Sequence, residues 1–189
     1  MFKRVCFVYT ETTGLHKTHK PISKKELFNF ARPVVINYEI GYYKNNEFIS
    51  ENKVRHIIKP RCLYIPEETI QFHGITREIA TEKGVEIEMV INQFKKDIKN
   101  VDVIVSHNID FHLKTLIAES VKYNIPIDFS NYLIIDTISF YHEYGYIKLK
   151  DLFEKLNLKK KKCDNLEMIK LVFLKLYENY FGYLTHNVH

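Results

Sequence analysis

The stretch Val5-Cys6-Phe7-Val8-Tyr9-Thr10-Glu11-Thr12-Thr13-Gly14-Leu15 decides how the rest of the chain is read. An apolar run of strand length stops at the turn-forming Thr12-Thr13-Gly14, which predicts a buried strand at the start of the fold. Side chains reverse at every residue of a strand, so Val5, Phe7, Tyr9 and Glu11 share one face and Cys6, Val8 and Thr10 the other. Glu11 is therefore expected to emerge beside Tyr9 at the strand end, where a carboxylate is available for chemistry.

Working outward, a polar stretch at 16–25 leads to strand-like residues 33–43, rich in β-branched and aromatic side chains. Lys44-Asn45-Asn46-Glu47 reads as a hairpin turn, and residues 48–58 supply a third strand before Pro60 breaks the pattern. From Pro66 the period becomes helical, over 67–72, 75–80 and 87–98, with Ile87, Val90, Ile91, Phe94 and Ile98 at helical spacing. Short strands at 101–106 and 133–136 alternate with helices at 111–123, 149–156 and 164–180. This order predicts an α/β mixed sheet, an antiparallel three-stranded meander plus parallel strands flanked by helices, with its site at the ends of the central strands.

The 189 residues suit one domain. Residues 184–189 are expected to form a frayed tail, and its His186 and His189 are given no function. Hydrophobic residues at 46% and charged residues at 27% exclude a disordered or collagenous chain. No apolar stretch approaches the ~20 residues of a membrane span, and no secretory signal is apparent, so an intracellular location, cytoplasmic or nuclear, is expected. Cys6, Cys62 and Cys163 form no CxxC pair, which suits a reducing compartment. The formal net charge of +5 is mostly lysine; it is compatible with a polyanionic partner, and equally with AT-rich coding.

Tyr9-Thr10-Glu11-Thr12-Thr13-Gly14-Leu15 resembles the first motif of DnaQ-like 3′–5′ exonucleases, Asp-x-Glu-Thr-Thr-Gly-Leu, with Tyr9 in place of the first Asp. His73-Gly74-Ile75-Thr76 is similar to the family's His-Gly-Ile-Thr segment. Val105-Ser106-His107-Asn108-Ile109-Asp110-Phe111-His112 resembles the second motif, whose closing Phe-Asp is here Phe111-His112. Ile135-Asp136-Thr137 matches the strand before the last helices. Lys159 to Asp164 takes the place of the third motif, His-x-Ala-x-x-Asp, with Lys159 for His and Asp164 retained. The resemblance spans roughly residues 5–176 and implies a ribonuclease H-like fold.

In that family, carboxylates hold two divalent metals and a His acts as general base. The resemblance leaves Glu11 and Asp164 as remnants of the catalytic and metal-binding set, against Tyr9, His112 and Lys159 at substituted positions. A Tyr phenol, with an ordinary pKa of about 10, is a poor ligand for hard cations. The expectation is a degenerate, inactive exonuclease that needs no cofactor and binds nucleic-acid 3′ ends or single strands in the remnant cleft. Thr12, Thr13, Gly14, Leu15 and Gly74 would border that cleft, and Lys159, Lys160, Lys161 and Lys162 would grip the phosphate backbone.

Two alternatives stay open. One is an active nuclease using Glu11 and Asp164 with one Mg²⁺ or Mn²⁺, aided by Asp110; the other is a scaffold that binds only a protein partner. Sliding the third motif by one residue would put Asn165 in place of Asp164. Tyr9 is read as a plug filling the volume of the missing metals, with core packing as the other possibility. His107 and Asn108 are read as fixing the turn between strand and helix.

Overall fold

The strand read first in the sequence lies at the middle of the sheet. A computed structural model of the chain describes residues 4–44, 47–61, 64–139, 145–160 and 162–186. In it, β1 (Arg4–Thr12) pairs antiparallel with β2 (Pro33–Lys44), which pairs antiparallel with β3 (Glu47–Ile57). On its other edge β1 runs parallel to β4 (Val103–Ser106), and β4 parallel to β5 (Leu133–Asp136). The order β3-β2-β1-β4-β5 is the meander plus parallel strands that the sequence predicts. Asn45 and Asn46 of the expected hairpin turn lie outside the described residues, while Lys44 and Glu47 on either side of them are paired.

Among the described residues the helices are α1 (Glu67–His73), α2 (Arg77–Lys83), α3 (Ile87–Asp97), α4 (Ile109–Lys122), α5 (Leu149–Lys155) and α6 (Asn165–His186). Strand alternation divides the core into two layers. Cys6 and Val8 of β1 pack with Tyr38 of β2, Phe94 of α3 and Leu116 of α4 on one face. Val5 and Phe7 pack with Val103 and Val105 of β4 and Leu166, Ile169 and Phe173 of α6 on the other. α1 and α2 close over the Val34–Val35 end of β2 through Ile70, Ile75 and Ala80. α5 rests on α6 through Leu152, Phe153, Val172 and Leu176.

Helix ends depart from the sequence reading for identifiable reasons. α4 begins at Ile109, two residues before the expected 111, because a carboxylate from another strand caps it: Asp136 of β5 accepts the N–H groups of Asn108 (2.9 Å) and Ile109 (3.0 Å). A cap 28 residues away leaves no local signature. α6 begins at Asn165, since Asp164 Oδ1 accepts the Glu167 N–H at 2.8 Å as an N-cap, and the helix runs on to His186.

Phe7 joins β1, β3 and α6. It is fully buried and meets Phe48 (5.2 Å between ring centroids) and Phe173 (5.5 Å) edge-on. Phe7→Ala is expected to cost about 3–5 kcal/mol in denaturant unfolding. Phe28→Ala, at a side chain 80% exposed, should change stability by less than about 0.5 kcal/mol. Equal losses in the two variants would contradict this assignment of the core.

Candidate active-site cleft

β1, α4 and α6 converge at a β-bulge between Glu11 and Thr12, where β1 leaves its register with β2. Tyr9 and Glu11 point to the α6 face, as alternation requires, and meet the first residue of that helix. The Asn165 side-chain amide donates to both Tyr9 Oη (3.0 Å) and Glu11 Oε1 (3.2 Å). Thr10 points to the opposite face and meets the first turns of α4. There His112 Nδ1 accepts the Thr10 backbone N–H (3.1 Å) and lies 2.8 Å from its hydroxyl. The His112 ring also packs against Tyr9, with centroids 4.7 Å apart and planes tilted by 50°.

Burial sets the charge states of this cluster. His112 is 4% exposed, and desolvation pulls its imidazole down to about 3, so it is neutral at physiological pH. Desolvation, reinforced by the neighbouring Glu11, raises the Tyr9 phenol well above its ordinary value, so it stays protonated. Burial also raises the Glu11 carboxyl, while the Asn165 hydrogen bond and the charge of Arg55 act in the opposite direction.

The family's metal chemistry can be tested against this donor set. Paired Mg²⁺ or Mn²⁺ ions need several anionic oxygens converging on one point. Here Glu11 is the one carboxylate among the described residues that line the cleft. The Tyr9 phenol is uncharged, the His112 Nδ1 lone pair faces Thr10, and Asn165 turns N–H donors toward Glu11. Among the described residues no three His, Cys, Asp or Glu side chains come together as a metal site. The residues present do not fit a two-metal centre.

The cleft beside this cluster encloses about 660 Å³. Thr12, Gly14 and Leu15 line it as the sequence reading anticipates, with the Thr12 hydroxyl donating to the Gly14 carbonyl at 2.7 Å. Gly14 has φ 131°, a conformation that L side chains rarely adopt, and Gly74 ends α1 at φ 70°. Thr13 faces away and is bonded to the Arg32 backbone. Not Gly74 itself but its neighbours Phe72 and His73 line the cleft.

Asp164, expected as the surviving acid, is exposed and caps α6, and Asn165 makes the contacts with Tyr9 and Glu11. Asn165 is the residue that a one-residue slide of the third motif would bring in, and Asp164 still borders an adjoining hollow with Tyr9 and Glu11. The same slide moves the His position from Lys159 to Lys160, which pairs with Glu167 at 2.6 Å. Lys159 and Lys162 are exposed, Lys161 lies outside the described residues, and none of the described lysines of this run lines the cleft. Lys148 does. Asp110 is held by Lys114 at 2.7 Å on the exposed side of α4 and does not line the cleft.

His107 bonds the Thr137 hydroxyl and the Ile147 carbonyl, both at 2.8 Å, and ties the β4–α4 turn to the approach to α5. Sequence reasoning missed Phe72, His73, Phe111 and Lys148 as lining residues, and missed Asn37 and Arg55 in a smaller hollow of about 260 Å³ on the other side of Tyr9 and Glu11. His73 and Phe111 lay inside quoted motifs; Phe72, Lys148, Asn37 and Arg55 carry no local signal. His73 Nδ1 accepts the Ile75 N–H, which leaves the proton on Nε2, and this atom and Asn37 Oδ1 are buried without a partner among the described residues.

Because His112 is held neutral, its folded pKa lies below its unfolded value, and only the unfolded chain takes up its proton as pH falls. Its contribution to stability is present above pH ~6.5 and is lost between there and about 3. Well below pH 6.5, His112→Asn should flatten the fall of unfolding free energy by about 1.4 kcal/mol per pH unit relative to the parent chain. Parallel pH profiles from urea titrations of the two proteins would contradict the buried, neutral imidazole.

Comparison with known proteins supports the architecture independently. A family model described as "Exonuclease" matches residues 9–165, and its two limits are the residues joined by the Asn165–Tyr9 hydrogen bond. Similar solved structures include exonuclease I in complex with the inhibitor BCBP (15% identity, TM-score 0.71, 98% of this chain and 44% of that one). They also include E. coli Exonuclease I in complex with a 5cy-dT13 oligonucleotide (15%, 0.69, 98% and 44%). A third is a moderately thermophilic Exonuclease I from Methylocaldum szegediense (16%, 0.67, 98% and 43%). The chain spans less than half the length of these proteins, and at such identities the likeness shows the fold alone. No curated protein sequence matches the chain. The family normally uses divalent metals, and no described helix is long and apolar enough to cross a membrane. With the ordered motifs, the mixed sheet and the family match in agreement, the chain belongs to the DnaQ-like 3′–5′ exonuclease family and has its ribonuclease H-like fold.

Proposed function

We propose that this protein uses the exonuclease fold to hold single-stranded nucleic acid, 3′ ends included, without hydrolysing it. The observation that carries the reading is the set of neighbours around Glu11. Tyr9, His112 and Asn165 engage polar atoms with one another, with Glu11 and with Thr10. This leaves Glu11 as the one carboxylate among the described residues that line the cleft, with Asp164, engaged as the cap of α6, at the hollow beside it, where phosphodiester cleavage by two metals needs several. Tyr9 and His112 fill the space with ring surface, and Asn165 locks α6 to β1.

The cleft keeps what binding requires. Leu15 (80% exposed) and Phe72 (87% exposed) stand at it as bare apolar surfaces on which a base can stack. Lys148 supplies a cation for phosphate beside the same space. The complex of E. coli Exonuclease I with an oligonucleotide supports this choice of ligand class. On this reading the described residues form one domain that binds without a resident metal.

Incubated with a 5′-labelled single-stranded oligonucleotide bearing a free 3′-OH and with Mg²⁺ or Mn²⁺, the protein should leave the strand intact, and Mn²⁺ should not raise its melting temperature. Metal-dependent shortening that disappears in Glu11→Ala would overturn the loss of catalysis. In fluorescence anisotropy the same strand should bind, with affinity falling as salt rises and falling at least about fivefold in Phe72→Ala. No binding at low salt would overturn the ligand class.

A further inference from the structure

A second groove adjoins the cleft across Leu15, which lines both. It encloses about 580 Å³ and is built on the segment between β1 and β2, the polar stretch to which the sequence reading gave no role. That segment is stitched in place. The Lys17 N–H donates to the Asn29 carbonyl (2.7 Å), the Ala31 N–H to His16 Nδ1 (3.0 Å), and Thr13 and Arg32 exchange two further bonds. The 3₁₀ turn Leu27–Asn29 projects Phe28 into solvent, 80% exposed, and Tyr64 stands 74% exposed on the same groove. Neither ring is spent on the core.

Charge on the groove has one sign. Lys17, Lys24 and Lys122 line it, and its one acid among the described lining residues, Glu119, is buried and neutralised by the Arg32 guanidinium, with Nη2 to Oε2 at 2.9 Å. Exposed aromatic faces set among cations, with no free carboxylate, suit a ligand that carries stackable rings on a polyanionic backbone. An acidic peptide would match the lysines and leave two rings without flat partners. Continuity with the cleft at Leu15 lets one strand occupy both.

We infer that this groove is a second binding site for single-stranded nucleic acid, where Phe28 and Tyr64 stack bases, Lys17 and Lys24 contact phosphates, and a strand seated in the cleft continues past Leu15. The inference rests on the nucleic-acid reading of the cleft, and it extends the footprint beyond the remnant site onto a loop that the motifs do not include.

Fluorescently labelled oligonucleotides of about four and about twelve nucleotides separate the two. The short strand reports the cleft and the long one the cleft plus groove. Phe28→Ala combined with Tyr64→Ala should weaken the long strand at least about fivefold and leave the short one unchanged, whereas Phe72→Ala weakens both. Lys17→Ala with Lys24→Ala should reduce the slope of log K against log salt for the long strand by about 1.4, which is two phosphate contacts on a single strand. Melting curves that coincide with the parent's verify that these exposed substitutions leave the fold intact.

If the parent binds both lengths and the groove variants change neither, the groove assignment is overturned and the cleft reading stands. If the parent binds neither length, both fail. If the variants lose an acidic peptide and keep the long oligonucleotide, the groove belongs to a protein partner and the assignment is overturned.

Discussion

The amide of Asn165 bonds two side chains on one strand face, and the functional end of the molecule depends on that bridge. Tyr9 and Glu11 lie two residues apart on β1, so they share a face, and the first residue of α6 reaches both with one NH₂ group. The bond fixes where α6 starts relative to the bulge at Glu11–Thr12, and it gives the half-buried carboxylate a donor that a metal ion would otherwise replace. A buried anion needs a compensating charge or hydrogen bond. In this chain the compensation comes from an amide, with the charge of Arg55 acting in the same direction.

The other half of the cluster follows the same logic with opposite chemistry. At position 112 an anion would face a backbone N–H and a hydroxyl, groups that also suit the lone pair of a neutral imidazole. His112 takes that place, loses its affinity for protons through burial, and packs its ring on Tyr9. Two aromatic rings and an amide thus occupy ground on which a metallonuclease keeps charge. The exchange converts a site of electrostatic repulsion, which cations must relieve, into one that is satisfied by the protein alone. The cleft beside it keeps exposed apolar and cationic groups, the features on which the proposed binding rests.

Much of the architecture is legible in the sequence. The period-2 alternation at 5–11 and the helical stripe Ile87, Val90, Ile91, Phe94 report burial directly, and both fall where expected. The ordered motifs give the family, and the fold brings Glu11, Tyr9 and His112 into one cluster. Less legible is the third motif. A run of four lysines offers no internal landmark, so a one-residue slide between Asp164 and Asn165 is invisible until the helix start is known. Position 164 is a good N-cap by residue type, and its Oδ1 is engaged by the Glu167 N–H while the residue borders the hollow beside Glu11.

The sequence by itself determined the mixed-sheet class and the family, because these depend on residue type and on periods that local burial enforces. Only the tertiary structure decided which residue of the third motif bonds Glu11, that Asp110 and Lys160 are engaged by Lys114 and Glu167, and that Phe72 of α1 stands exposed beside the cleft. Each of these depends on where helices begin and what they face across the sheet. Those positions are set by caps and packing partners tens of residues away, which no local pattern records.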